Sequence, residues 1–227
     1  MSATPFAPAL LSLLAAQGLD IGDAGAAQPG ERTAPARNGQ ALITLVLDGV
    51  VARLGPDGRL SHGLAACGAA INLEAATQDA RTDAAPSETA LWVTPGRFIA
   101  VPAVWLGQRL AANVLPQMIL TYLRARNAAL QTELTRHATR KVTQRLAALL
   151  LDVATLGGVD QVCLRQSDLA DLMAVRRASI SVASTELCAT GAIRLRRGAV
   201  QIFDRQALAA AAGCRHSTVT DLARLRG

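Results

Sequence analysis

The chain has 227 residues, of which 51% are hydrophobic and 18% are charged, and its formal net charge is +6. This length allows two modest domains with cores of their own, and the hydrophobic content excludes a disordered chain. No apolar run approaches the roughly 18 residues of a membrane span. The first basic residue is Arg32, so the charged start of a signal peptide is missing, and we expect a cytoplasmic protein with no membrane partner.

The charge is divided unevenly along the chain. Residues 1–135 carry nine arginines against ten acidic residues, whereas residues 136–227 carry 14 lysines and arginines against seven acidic residues. A basic half beside a nearly neutral half indicates that one module meets a polyanion. The alternative is a solvated surface in a protein that uses arginine almost exclusively, since Lys141 is its single lysine.

The N-terminal half predicts a short helix, a connection and then a series of strands. Residues 1–20 favour the helix, and residues 21–40 form a connection rich in Gly, Ala and Pro. Short β-prone runs separated by turn residues follow. The predicted strands are Leu42–Leu47, Val50–Leu54, Arg59–Leu64, Leu91–Val93 and Arg97–Val101, with turns at Asp48-Gly49 and Pro56-Asp57-Gly58.

Helices follow the strands. A short one is predicted over Ala103–Ala112 and a long one from Pro116 to Ala138. In the long helix, apolar residues and one asparagine recur in alternating steps of three and four, which is the spacing of a two-stranded coiled coil. These predicted dimerisation residues are Leu120, Leu123, Asn127, Leu130 and Leu134, with Asn127 setting the register. The alternative is a helix packed on its own domain.

The C-terminal part predicts a helix-turn-helix with a basic wing. After an amphipathic helix over residues 142–155, Leu169, Leu172 and Met173 mark a helix that reaches a turn at Ala174-Val175. The next helix opens on Arg176 and Arg177 and ends at Thr190-Gly191. Strands Ala192–Leu195 and Ala199–Phe203 then flank the turn Arg196-Arg197-Gly198. Arginines at a helix N-terminus and in a wing suit the grooves and phosphates of double-stranded DNA.

This order of elements resembles the cyclic-AMP receptor / fumarate-nitrate-reduction regulator (CRP/FNR) superfamily of bacterial transcription factors. Its motif D/E-L-A-x-x-[apolar]-G-x-S-R-E-T-V-S-R is matched, with the residues that follow it, by Asp168, Leu169, Ala170, Met173, Arg177, Ser179, Ile180, Ser181, Leu187, Gly191 and Ile193. The resemblance implies an α+β fold with a cyclic-nucleotide-binding-like β-roll (residues 1–112), a long dimerisation helix (113–140), a winged helix-turn-helix (141–210) and a C-terminal tail (211–227).

The resemblance also implies a homodimeric, sequence-specific transcription regulator that binds a near-palindromic operator and contacts RNA polymerase. The expected DNA-binding residues are Ser167, Arg176, Arg177, Ser179, Ser181, Arg196 and Arg197, and Ser167 is the predicted N-cap of its helix. The family reads bases with an R-E-x-x-x-R arrangement. Here Arg177 is kept, but Ala178 and Val182 replace the other two residues, so Arg177 is expected to carry most of the base recognition.

The expected sensor lacks the family's nucleotide-binding residues. Relatives hold the cyclic phosphate with an R-S pair and a G-E turn; the pair aligns here with Pro86-Ser87, and residues 68–74 lack the turn. Proline offers neither charge nor a backbone donor, so cyclic AMP is not the expected ligand. Cysteines occur only at positions 67, 163, 188 and 214, too scattered for a metal or iron–sulfur site, and we expect no cofactor.

Two functions of other classes compete with DNA binding. A protein-interaction scaffold could use the winged helix without specific DNA binding, and the loss of two base-reading residues favours it, while the basic charge opposes it. An enzyme is not expected, because the chain has no G-x-S-x-G, P-loop or H-E-x-x-H motif. Its three histidines, His62, His137 and His216, are far apart in the sequence.

Overall fold

The structure, a computed structural model, describes residues 15–16, 18, 24–55, 57–77, 88–110 and 114–213. It divides into two compact units, residues 1–134 and residues 135–227. Strands dominate the described part of the first unit and helices that of the second, which confirms the predicted α+β class. In the described part of the chain, no helix is both long enough and apolar enough to cross a bilayer.

The first unit is built on two antiparallel sheets that form the β-roll. One has the strand order β1-β9-β4-β3, with β7 also paired to β4, and the other has the order β2-β8-β5-β6. A 3-10 helix spans Leu73–Thr77, helix α1 spans Ala103–Arg109, and the long helix α2 spans Val114–Thr139. The strands are β1 (Gly25–Ala27), β2 (Arg32–Thr33), β3 (Ala36–Arg37), β4 (Gln40–Asp48), β5 (Val50–Leu54), β6 (Ser61–Ala66), β7 (Ala70–Ile71), β8 (Thr89–Trp92) and β9 (Gly96–Pro102).

Strand β4 is almost continuously apolar because both of its faces are covered. Ile43 and Leu45 belong to a core cluster shared with α1 and α2. Val46 belongs to a second cluster with Val51 and Trp92 of the other sheet. The indole N–H of Trp92 is fully buried and donates a hydrogen bond of 2.9 Å to Thr33 Oγ1, so the largest side chain of the roll is satisfied inside it.

Two predictions for the strand region needed correction. The connection over residues 21–40 contains β1, β2 and β3, which have only two or three residues each and therefore show no alternation in the sequence. The strand predicted over Arg59–Leu64 begins later, at Ser61, because Gly58 and Leu60 both have positive φ angles and prolong the turn. The remaining predicted strands lie within one or two residues of their observed positions.

The helices of the first unit begin or end at residues other than those predicted. Helix α1 stops at Arg109 rather than Ala112, since Leu110 already has an extended backbone. Helix α2 begins at Val114, two residues before the predicted start at Pro116. Proline lacks a backbone N–H and is tolerated in the first turn of a helix, where that N–H has no partner within the helix. The predicted helix over residues 1–20 falls almost entirely outside the described residues.

The second unit consists of four helices and a small sheet in its described part. Helix α3 (Val142–Gly157) ends at Gly158, whose φ of 63° is left-handed. Helices α4 (Gln166–Met173) and α5 (Arg177–Ala189) follow, then strands β11 (Ile193–Arg196) and β12 (Ala199–Ile202) and helix α6 (Arg205–Ala211). A two-residue strand, β10 (Gln161–Val162), pairs with β12 and was not predicted. Of the predicted tail, residues 214–227 lie outside the described part.

We predict that Gly49→Ala destabilises the β-roll more than Gly39→Ala does. Both glycines have left-handed backbones, with φ of 85° and 75°, so each alanine carries a conformational cost of about 1–2 kcal/mol. A Cβ at position 49 would also lie 2.5 Å from the carbonyl oxygen of Pro95, whereas a Cβ at position 39 has nothing within 4 Å. Urea unfolding of both variants measures the difference, and equal losses would contradict this packing of the β4–β5 turn.

Candidate nucleic-acid interface

The turn between α4 and α5 is fixed by its own backbone. Ala174 adopts a left-handed conformation, with φ of 50° and ψ of 46°, and its N–H bonds the carbonyls of Ala170 and Asp171. The Val175 N–H also bonds the Ala170 carbonyl at 3.0 Å. The predicted turn at Ala174-Val175 is therefore confirmed. It joins two helices with these buried residues: Leu169, Ala170, Leu172 and Met173 of α4, and Ile180, Ala183, Ser184 and Leu187 of α5.

The N-terminus of α4 differs from the prediction. Helix α4 begins at Gln166, and its N-cap is Arg165, not Ser167. The carboxylate of Asp168 accepts the backbone N–H of Arg165 at 3.0 Å, which satisfies one of the donors that a helix start leaves without an intrahelical partner. The negative charge of Asp168 also suits the positive end of the helix dipole. Ser167 lies in the first turn with its side chain exposed.

Two arginines are concentrated at the N-terminus of α5. Arg176 is the N-cap, with no side-chain cap bond, and Arg177 is the first helical residue. Both side chains are exposed, and neither guanidinium bonds to a residue in the described part of the chain. Cations are unfavourable at this end of a helix dipole, which attracts anions. The arrangement departs from the local electrostatic rule, and such departures are expected at functional sites.

The exposed face of α5 continues beyond the arginines. Ser181 is exposed, Ser179 is half-buried, and Val182 is 59% exposed. Ala178 is exposed as well. One face of α5 therefore carries guanidinium, hydroxyl and methyl groups toward solvent, while Ile180, between Ser179 and Ser181 in the sequence, is fully buried. Hydrogen-bond donors beside small apolar groups are the chemistry that base edges in a major groove recognise.

The wing is a tight hairpin with exposed arginines. Arg196 is paired with Ala199 across β11 and β12, which leaves Arg197 and Gly198 as the turn, with Gly198 at a φ of 73°. Arg196 and Arg197 are both exposed, as the prediction requires. The hairpin also carries Arg194, whose guanidinium carbon lies 4.0 Å from the centre of the Phe203 ring.

Two arginines of this surface were missed in the sequence. Arg194 alternates with Arg196 along β11 and so lies on the same side of the strand. Arg165 is exposed at the start of α4 and, together with Arg196 and Gly198, lines a small cavity of about 80 Å³. The alternation of side chains along a strand would have identified Arg194. Arg165 was missed because the N-cap was assigned to Ser167, which placed Arg165 outside the helix start.

Interior contacts of the second unit hold the helix-turn-helix in place. An Nη2 hydrogen of Arg145, on α3, is donated to the Met173 carbonyl at the end of α4, and the same nitrogen lies 3.0 Å from Nε2 of His137. Burial and the nearby Arg145 cation lower the pKa of His137 below its ordinary value of 6.5. The neutral imidazole can accept a hydrogen bond from Arg145, whereas a protonated one would repel it.

The sequence of the second unit matches a known family of domains. Residues 144–211 match the family model of the Crp-like helix-turn-helix domain. This part of the chain is therefore similar to Crp-like helix-turn-helix domains. It contains α4, α5 and the wing that carry the exposed arginines. The comparison with curated protein sequences finds no match.

Solved structures of CRP-type regulators share the fold of the chain. A CRP/FNR-family transcriptional regulator from Thermus thermophilus is 19% identical, with a TM-score of 0.63 over 84% of this chain and 98% of that one. A CRP-family regulator from the same organism is 20% identical, with a TM-score of 0.64 over 83% and 96%. The c-di-GMP responsive global regulator CLP of Xanthomonas campestris is 17% identical, with a TM-score of 0.60 over 80% and 93%. Together with the match of residues 144–211 to the Crp-like domain, the shared fold confirms the predicted resemblance to the CRP/FNR superfamily.

We predict that part of the pH dependence of stability comes from His137. Its pKa in the folded chain lies below 6.5, so the unfolded chain binds more protons once the pH falls below about that value. The free energy of unfolding should therefore be fully present above about pH 6.5 and decrease as the pH falls toward the folded pKa. Urea unfolding of wild-type and His137→Gln protein at several pH values measures this, and the variant should show a shallower decrease. Identical slopes would contradict the His137–Arg145 contact.

Proposed function

We propose that the chain is a homodimeric, sequence-specific DNA-binding transcription regulator. The observation that carries this proposal is the pair of exposed guanidinium groups, Arg176 and Arg177, at the N-terminus of the second helix of a Crp-like helix-turn-helix. Phosphates and guanine edges provide the anionic and acceptor groups that such donors bind. The operator is a near-palindrome, and RNA polymerase is the further partner expected for a regulator of transcription.

The base-reading residues follow from the exposed face of α5. Arg177 binds the O6 and N7 acceptors of a guanine, the commonest specific contact of arginine. Arg176, Ser167 and Ser179 contact phosphates, and Ser181 contacts a phosphate or base. The wing residues Arg196 and Arg197 contribute affinity that does not depend on sequence. Ala178 and Val182 form no hydrogen bonds with their side chains and offer at most contact with a thymine methyl group.

Homodimerisation is assigned to one face of α2. Leu115, Ile119 and Tyr122 are buried on the inner face of this helix. The predicted seam lies on another face: Leu120, Leu123 and Leu134 are 50%, 39% and 65% exposed, Asn127 is exposed, and Leu130 is half-buried. A stripe of leucines at heptad spacing that remains exposed in the single chain supports a second copy as its partner.

Cyclic AMP is not part of the proposed mechanism. Pro86 and Ser87, which align with the phosphate-binding pair of cyclic-nucleotide-binding relatives, lie outside the described residues. The reason is therefore the residue type: proline cannot supply the bidentate cationic contact of an arginine.

A protein-interaction scaffold is the alternative function. The exposed Val182, next to Ala178 on the same face of α5, favours it, because apolar residues at these positions could contact a protein. The two functions differ in their dependence on Arg177 and on salt.

Arg177→Ala should weaken operator binding by about 1–3 kcal/mol and flatten selectivity at one base pair in each half-site. Arg197→Ala should instead weaken binding to all sequences alike and reduce the slope of log affinity against log salt by about one unit. Arg37→Ala, which removes an exposed arginine from the first unit, is the control and should change neither. Fluorescence anisotropy on operator and scrambled duplexes measures all three. Unchanged affinity and sequence preference in Arg177→Ala would favour the scaffold instead.

Charged substitutions in the seam should separate the two copies. Leu130→Glu together with Leu134→Glu places like charges face to face in a parallel dimer, so we expect a monomer that no longer binds the operator. Leu156→Glu, which changes a 39% exposed leucine of α3, should leave the dimer intact. Sedimentation velocity distinguishes these outcomes, and a doubly substituted chain that remains dimeric would remove α2 from the interface.

Cyclic AMP should bind no more tightly than millimolar and should not change operator affinity. The reason is the missing phosphate-binding arginine at position 86. Titration calorimetry tests this directly, and a micromolar dissociation constant would overturn it.

A further inference from the structure

A charged cluster lies inside the first unit, centred on Glu88. Its side chain has no exposed surface. One carboxylate oxygen, Oε2, accepts hydrogen bonds from the Tyr122 hydroxyl at 2.6 Å, from Arg53 Nη1 at 3.1 Å and from the Asn72 backbone N–H at 3.3 Å. The other oxygen, Oε1, lies 2.8 Å from Nε of Arg126. Two guanidinium groups, a phenol and an amide thus surround one carboxylate.

The charges of the cluster balance. Arg126 also donates to Glu74, with Nη1 and Oε1 2.6 Å apart, so that two arginines meet two glutamates. A buried carboxylate is costly unless it is paired and hydrogen-bonded. Burial alone would raise the pKa of Glu88, but Arg53, the Tyr122 hydroxyl and Arg126 outweigh it, and the pKa lies below its ordinary value. Burial raises the pKa of Tyr122 far above its ordinary value, so its hydroxyl remains a donor.

The cluster connects α2 to distant parts of the sheet. Arg53 belongs to β5, Asn72 follows β7, and Glu88 stands just before β8, whereas Tyr122 and Arg126 belong to α2. On α2, each of the two cluster residues is followed in the sequence by a residue of the proposed seam. Leu123 follows Tyr122, and Asn127 follows Arg126. The contacts to Glu88 therefore fix which face of α2 is turned toward the sheets and which is left for a partner.

The donors converge as they would on a separate anion. Two guanidinium groups, one hydrogen-bonded and one ion-paired, together with a hydroxyl and a backbone N–H, are a common way for proteins to bind carboxylate or phosphate groups. Here the anion is part of the chain. Removing it would leave two largely buried cations, of which Arg126 alone keeps a carboxylate partner, Glu74, within the described residues. Such a situation strongly favours uptake of another anion.

We propose that Arg53, Arg126, Tyr122 and the Asn72 N–H form an interior carboxylate-binding site whose resident ligand is Glu88. Because Glu88 fills this site, the face of α2 that carries the seam points outward, and no small-molecule anion is needed to keep it there. The claim about the orientation of α2 rests on the proposed function, because it assigns the seam to a homodimer. The claim that the site exists does not depend on that function.

The test is chemical rescue of Glu88→Ala. This substitution removes the γ-methylene and carboxylate, atoms that acetate closely replaces. We expect the variant to melt at a lower temperature than wild type in chloride buffer, and its dimer dissociation constant to rise at least about tenfold. Tens of millimolar acetate should restore much of both properties. Acetamide, which has the same shape without the charge, should restore neither.

Two controls separate the site from general effects of salt. Glu31→Ala removes an exposed carboxylate of the same unit that accepts the Gln28 backbone N–H, and acetate should not alter its melting. Glu88→Gln fills the space without charge, so acetate should not rescue it. If Glu88→Ala does not fold in chloride buffer, the yield of refolded protein in acetate and in acetamide gives the same comparison.

The outcomes are distinct. Equal melting temperatures or refolding yields in acetate and acetamide would overturn the anion site. Stabilisation by acetate without recovery of the dimer would overturn its role in orienting α2. A wild-type chain that is itself monomeric would contradict the proposed homodimer. The comparison of melting temperatures in acetate and acetamide would still test whether the carboxylate-binding site exists.

Discussion

Helix α2 packs on the sheets through one face and, in the proposed dimer, meets a second copy through another. The buried carboxylate of Glu88 is the constraint on which both faces depend. Tyr122 and Arg126 can face the sheets only if their polar ends find partners there. Glu88 accepts a hydrogen bond of 2.6 Å from the Tyr122 hydroxyl and forms an ion pair of 2.8 Å with Arg126. An apolar helix face could pack on the sheets in several rotations. A face that must place two donors on one carboxylate has far fewer choices, which is the sense in which a buried polar network specifies a structure.

The second unit applies a different constraint. Its hydrophobic core fixes α4 and α5 and thereby directs the exposed residues of α5 without contacting them. Ile180 and Leu187 are buried on one face, so Arg177 and Ser181 are directed to the other. Arg145 ties α3 to the last carbonyl of α4, just before the left-handed residue Ala174. The arginines at the start of α5 are thus presented by a packed scaffold, as the proposed reading of base edges requires.

Much of the fold could be predicted because its determinants are local. The alternating strands, the heptad spacing of α2 and the apolar pattern of α4 and α5 all appear in short windows of sequence. The predictions were wrong where the sequence carries no recognisable pattern or where a residue suggests the wrong boundary. Strands β1 to β3 and β10 are too short to alternate, Pro116 was read as a helix start although α2 already begins at Val114, and Ser167 was assigned the capping position that Arg165 occupies.

The interior cluster could not be predicted, for a physical reason. Glu88 is 34 residues from Tyr122 and 35 from Arg53 in the sequence, and a glutamate in a polar stretch normally predicts exposure. Only the tertiary structure brings these groups together. By contrast, the exposed position of Arg176 and Arg177 at the start of α5 could be predicted, because it depends on one helix and its first turn.

Selection of binding sites from a random duplex library with the purified protein tests the central claim most directly. A two-fold symmetric dimer with recognition helices about 34 Å apart should enrich two inverted half-sites whose centres are about 10 base pairs apart. Each half-site should contain one strongly selected guanine, the base assigned to Arg177. Recovery of no preferred sequence, or of a single asymmetric site without that guanine, would contradict sequence-specific binding by a homodimer.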